Sequence, residues 1–170
     1  MALSGNRPSA AAWSELIEPG ADVRHNTQFR CAATKLSPCG VIWDAVVVAP
    51  LERALAALDV LGLPTDGHPV LADYTKQELA VLIPQGSGGA LAGLPGTRVL
   101  TRGAWLLTPG GRRNCEAATW LSRGEQYVDA RALGEALLAT DARRAAQSQA
   151  GFRAAMGTTK AQQGTCGDTL

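Results

Sequence analysis

The stretch GTRVLTRGAWLLTPGGR, residues 96–112, reads as a strand, a one-residue pivot, a second strand and a glycine-rich turn. Residues 97–100 and 104–107 are apolar or β-branched enough for buried strands, with Gly103 where the chain must bend or bulge. Pro109-Gly110-Gly111 stops the second strand and exposes backbone amides beside the cationic pair Arg112 and Arg113. A strand pair of this kind needs further sheet and a covering layer, which the flanking sequence must supply.

Upstream, VIWDAVVV at residues 41–48 is apolar at almost every position, the pattern of a central strand covered on both faces. Asp44 is the one exception. A carboxylate in such a strand must find a partner, meet water at a cleft or serve chemistry, because burying it unpaired is costly. Pro50 followed by Leu51, Leu55, Leu58 and Leu61 predicts a helix over 50–62. Strands are expected at 69–72 and 78–83, joined by the polar turn 73–76. The loop PQGSGG at 84–89 lacks the Lys-Ser/Thr of a phosphate-binding P-loop and reads as a flexible connection, with anion capture a minor reading.

Downstream, residues 117–121 form a last strand containing Trp120. Val128 and Asp129 then resemble a staple and a cap for a helix over 130–146, with Leu133, Leu137 and Leu138 on its buried stripe. Residues 148–170 turn polar and glycine-bearing and read as a poorly ordered tail. At the other end, 1–39 reads as an irregular segment with a short helix near Ser9 to Ile17, ended by Pro19-Gly20. Residues 21–40 show neither strand nor helical periodicity. An irregular surface connection is the favoured reading there; a flap carrying Arg24, His25 and Arg30, or an unrecognised strand, are the alternatives. The expected fold is therefore a single α/β (α+β) domain over 40–147, with a mixed or antiparallel sheet and its helices packed mainly on one face.

The chain's 170 residues suit one domain. Sixteen Lys and Arg against fifteen Asp and Glu give no reason to expect tight nonspecific nucleic-acid binding. Cys31, Cys39, Cys115 and Cys166 contain no C-x-x-C pair, so ordinary thiols are favoured over a zinc site of Cys31, Cys39, Cys115 and His25, and no metal ligand is assigned. The first residues lack the apolar run of a secretion signal, and no segment reaches transmembrane length. A cytoplasmic protein with reduced thiols and no membrane partner is the expectation.

Several stretches carry a family resemblance: Gly40-Val41-Ile42-Trp43-Asp44 with Pro50, Pro69-Val70-Leu71-Ala72-Asp73, Val81-Leu82-Ile83-Pro84-Gln85-Gly86, Leu94 to Leu100, Gly103 to Pro109, and Trp120. Over about residues 40–140 the chain resembles the latter part of the primase-polymerase domain of the archaeo-eukaryotic primase superfamily. More closely, it is similar to short actinobacterial proteins labelled bifunctional DNA primase/polymerase. The resemblance implies two strand-borne acidic residues that hold divalent metal, a histidine for nucleotide phosphates and a third acidic position. Here only Asp44 fits the first motif, residues 79–83 contain no histidine, and Arg98-Val99-Leu100 occupies the third. Two-metal phosphoryl transfer needs several carboxylates at close range, so template-dependent polymerase or primase activity is not expected.

The leading functional expectation is a catalytically degenerate primase-polymerase-like domain that binds a nucleotide, a nucleic acid or a protein partner. Asp44 is its candidate catalytic residue, and Arg98, Arg102, Arg112, Arg113 and Asp73 are its candidate ligand-binding residues. A solvated edge is at least as good a reading of those arginines. Magnesium or manganese would accompany a bound nucleotide. Trp43 and Trp105, in strands that read as buried, are expected in the core. One alternative is a small metabolic enzyme with Asp44 as acid or base, assisted by Cys39 or His68. The other is a structural or regulatory interaction protein that pairs through a sheet edge or its tail.

Overall fold

In the computed structural model, which describes residues 12–16, 34–110, 115 and 117–161, seven strands and two α-helices follow one another. They are β1 (Thr34–Pro38), β2 (Trp43–Val48), α1 (Leu51–Leu61), β3 (Val70–Asp73), β4 (Glu78–Pro84), β5 (Thr97–Leu100), β6 (Trp105–Pro109), β7 (Thr119–Ser122) and α2 (Ala130–Ala161). Short 3-10 turns lie at Trp13–Leu16 and Ser87–Leu91. The main sheet has the order β5-β2-β4-β3-β7, and every pairing in it is antiparallel. β1 and β6 form a separate antiparallel ribbon, with Ser37 opposite Leu106. This is a single α+β domain with an antiparallel sheet.

Alternation along the strands sorts the two faces of the sheet. Val46 and Val48 of β2, Val70 and Ala72 of β3, and Leu79, Val81 and Ile83 of β4 pack against α1 and α2 through Leu55, Leu58, Leu133 and Leu137. Both helices therefore cover the same face. The opposite face carries Ala45, Val47, Leu71, Ala80 and Leu82, and what covers it is the β1–β6 ribbon, through Leu106. The ribbon covers the centre of this face, where Ala45, Val47, Leu71, Ala80 and Leu82 are buried, and leaves Trp43, Leu100 and Trp120 around it partly exposed.

Local signals account for the helix ends. Asp129 accepts a hydrogen bond from the amide of Ala132 at 2.8 Å, the N-cap the sequence predicts. Gly62 adopts the left-handed conformation (φ 63°) that ends α1. Trp13 is buried against this layer and donates its indole N–H to the carbonyl of Leu63 at 2.8 Å.

The two helices are fastened by one cation. Arg53 of α1 donates through Nε and Nη2 to the two carboxylate oxygens of Asp141 on α2, both at 2.7 Å, and through Nη1 to the carbonyl of Pro95 at 2.7 Å. The neighbouring Gly96 must lack a side chain: it sits at φ 66°, and a Cβ there would lie 2.5 Å from the carbonyl oxygen of Ala49.

Three expectations are corrected. Residues 97–107 do not form a strand pair: Gly103 (φ 92°) turns the chain out of the main sheet, so β5 pairs with β2 while β6 pairs with β1. Residues 34–38, inside the stretch read as irregular, are β1. The second helix does not stop near 146 but runs to Ala161, and its residues 142–153 are exposed throughout. An alanine-rich run without proline sustains helix there without a packing partner among the described residues. Of the tail read as poorly ordered, residues 148–161 thus belong to α2, and 162–170 lie outside the described residues, as do the flap residues Arg24, His25 and Arg30.

The hydrogen bonds from Arg53 hold the Asp141 carboxyl below its ordinary pKa, with smaller help from the charges of Arg53 and Arg144. Such a group stabilises the fold above the unfolded-state value and loses that contribution as pH falls through the lowered folded value. Breaking a buried pair costs about 3–5 kcal/mol. The Asp141 side chain is 41% exposed, so solvent screening reduces the expected cost of Asp141→Asn to about 2 kcal/mol. Urea denaturation at several pH values checks this: the gap between wild type and variant should be constant at neutral pH and close below about pH 4.

Candidate functional site

Three cavities open on the sheet face that the helices leave uncovered, and the ribbon stands between them. Its residues are divided between them, with Leu106 on the first side and Pro109 on the second. Leu36, Trp105 and Leu107 line one cleft of about 370 Å³. Lys35, Ser37 and Thr108 line another, of about 380 Å³. The third, of about 440 Å³, continues the second, because Trp43, Leu82, Trp120 and Arg123 line both.

That continuous groove is aromatic, with two cations, Lys35 and Arg123, and one acid, Glu125, in its lining. Trp43 stands on β2 and Trp120 on β7, at opposite sides of a floor made by Leu82 of β4; Tyr127, from the segment before α2, closes one end. Lys35 and Arg123 supply positive charge, and the linked hydroxyls of Ser37 and Thr108 (2.8 Å apart) line the ribbon side. Trp43, Trp120 and Tyr127 are all partly exposed. Gly124 lets this rim form, since a Cβ there would overlap the backbone of Gly67.

The cleft on the other side of the ribbon has an apolar floor of Val47, Leu71, Ala80 and Leu100, with charge gathered at one end. There Arg98 pairs with Glu78 at 3.0 Å and Lys76 with Asp73 at 3.4 Å. Asp73 also closes the β3–β4 turn, accepting from the amides of Thr75 and Lys76 and from the Thr75 hydroxyl. Trp105 is 58% exposed at the mouth.

The expected site residues are thus divided. Arg98 and Asp73 meet in one cleft, Arg102 lines none of the three cavities, and Arg112 and Arg113 lie outside the described residues. Of the three fates open to Asp44, the structure gives it a partner and not a cleft. Asp44 shares its side of β2 with Val46 and Val48 and therefore faces the helix layer, whereas Arg98, opposite Val47, faces the other way. Its carboxylate is 1% exposed and accepts from the amide of Gly86 at 2.8 Å; its second oxygen is buried with no partner among the described residues. The backbone amide that the glycine-rich loop at 84–89 offers at Gly86 is thus taken by the chain's own Asp44 side chain.

The partners expected to help Asp44 are engaged elsewhere. Burial, and secondarily the Asp44 charge, push the Cys39 thiol up, so it stays protonated and a poor nucleophile. His68 Nδ1 donates to the carbonyl of Gln126 at 2.8 Å. Among the described residues no three His, Cys, Asp or Glu side chains form a group that could hold a metal ion; His25 and Cys31 lie outside them. No described helix is long and apolar enough to cross a membrane.

The core placement expected for two tryptophans is also corrected. Trp105 is exposed because β6 leaves the main sheet, and Trp43 is only partly buried because it points to the open face. Lys35, Arg123 and Tyr127 were not singled out by sequence; they converge from segments far apart in the chain, and no local pattern marks them. Comparison with protein-family models, with curated proteins and with solved structures finds no match to this chain.

For Asp44 the geometry predicts a difference between two substitutions. Asp44→Ala removes the acceptor for Gly86 and leaves a gap, and should lower Tm by roughly 5 °C. Asp44→Asn keeps an acceptor for Gly86 and fills the same space but puts an amide donor where the second oxygen has no partner, so Tm should fall by less than in Asp44→Ala. Calorimetry on the two variants checks it.

Proposed function

We propose that this protein is a non-catalytic binding module that takes single-stranded nucleic acid in the groove between Trp43, Trp120 and Tyr127. One observation carries this reading: an antiparallel sheet with both helices on one face displays partly exposed aromatic rings on the other, beside Arg123 and Lys35. Aromatic faces on an open sheet stack on unpaired bases, and nearby cations follow the phosphates. A duplex buries its base faces and offers nothing for these rings to stack on.

This reading agrees with a catalytically degenerate primase-polymerase-like domain, in which the binding surface persists without the acidic cluster. The described donor set does not fit a resident magnesium or manganese ion, because no carboxylate cluster accompanies the groove. Binding therefore rests on stacking and a small number of cationic contacts. With two cations at the groove, the logarithm of affinity should fall with the logarithm of salt at a slope of about −1.4. The near-neutral net charge of +1 fits such a weak electrostatic contribution.

The test is fluorescence anisotropy with a labelled oligothymidylate, a duplex of equal length and single nucleotides. Single strands should bind best. Trp43→Ala and Trp120→Ala should each weaken binding by about 1–3 kcal/mol, with the fold intact by circular dichroism. Equal affinity for duplex, or unchanged binding in both variants, would sink the reading.

A further inference from the structure

The cleft on the far side of the ribbon differs in chemistry from the aromatic groove. Its volume of about 370 Å³ falls within the range of small-molecule sites. Its floor is aliphatic, its mouth carries the exposed indole of Trp105, and its charges sit together at one end. We propose that it binds a small monocarboxylate with an apolar body, the carboxylate on Arg98 and Lys76 and the body along Val47, Leu71 and Leu100.

The state of each charge selects the sign of the ligand. The acidic groups are committed: one oxygen of Asp73 accepts three hydrogen bonds within its own turn and the other faces Lys76, while Glu78 holds Arg98. The cations keep donors in hand. A guanidinium has five N–H donors and an ammonium three. Among the described residues Arg98 spends its Nη2 on Glu78, and Lys76 reaches Asp73 only at 3.4 Å. Both cationic side chains are mostly exposed, at 59% and 65%, so they can turn toward a ligand; Asp73 keeps its three turn hydrogen bonds when Lys76 does so, and Glu78 stays beside Arg98 as a competitor for its donors.

The number of charges on the ligand follows from the same rim. Asp73 and Glu78 offset Arg98 and Lys76, which leaves a local sum of zero. A dianionic phosphate would meet two carboxylates at short range, whereas a monoanion needs only the fork of Arg98 to itself. The planar guanidinium matches a carboxylate with two parallel bonds. An amine would have to displace Arg98 or Lys76 from its acid, and a neutral alcohol would gain nothing from either.

Titration calorimetry with octanoate, octylamine and octanol tests the assignment, with Trp105 fluorescence reporting the location. Octanoate should bind one to one and more tightly than either analogue. Arg98→Gln should weaken octanoate by about 10-fold or more while leaving octanol unchanged, and Arg98→Lys should recover part of the loss. Trp105→Phe should keep the heat and remove most of the fluorescence change. Trp43→Ala, which the groove for nucleic acid requires, should leave octanoate binding intact, so the two sites can fail separately. The proposal is overturned by octylamine or octanol binding as well as octanoate, by no response to any probe, or by folded Arg98→Gln binding octanoate normally.

Discussion

Arg53 is the contact on which the arrangement of this domain depends. A single guanidinium reaches the second helix through both oxygens of Asp141 and the loop before β5 through the carbonyl of Pro95. The same loop passes so near the start of α1 that only glycine fits at position 96, where its carbonyl accepts the amide of Ala49. The helix layer and the edge of the sheet are thereby held in one geometry. Apolar packing through Leu58, Leu133 and Leu137 supplies non-directional cohesion; the forked cation supplies direction.

With both helices held to one side, the remaining face of the sheet has to be covered by something smaller. The β1–β6 ribbon does this incompletely, and its incompleteness is what creates concave surface. Had β6 continued beside β5, as the run of residues 96–112 suggests, the sheet would be wider and flatter. Gly103 instead sends it across the open face to meet β1. The two sides of this wall differ in chemistry: Leu36, Trp105, Leu106 and Leu107 on one, Lys35, Ser37, Thr108 and Pro109 on the other.

Much of this was legible in sequence, and the failures share a cause. The valine run of β2, the leucine spacing of α1 and the Asp129 cap of α2 are local signals, and each element lies within a residue or two of its expected start. β1 was invisible because TKLSP is mostly exposed and gains its structure from a partner some seventy residues away. Trp43 and Trp105 were misplaced for a related reason: an apolar residue on an open face and one in a core look alike until the covering layer is known. Asp44 was rightly seen as anomalous, but sequence could not show that the glycine-rich loop would supply its partner. The groove residues Lys35, Arg123 and Tyr127 come from three separated segments, so no spacing rule could gather them.

A two-stranded ribbon has little stability of its own, and here both of its faces are also walls of clefts. Leu36 and Trp105 wall one cleft, and Lys35 and Thr108, on the same two strands, wall the other. A change that disturbs the pairing of β1 with β6 therefore alters a wall of both clefts at once.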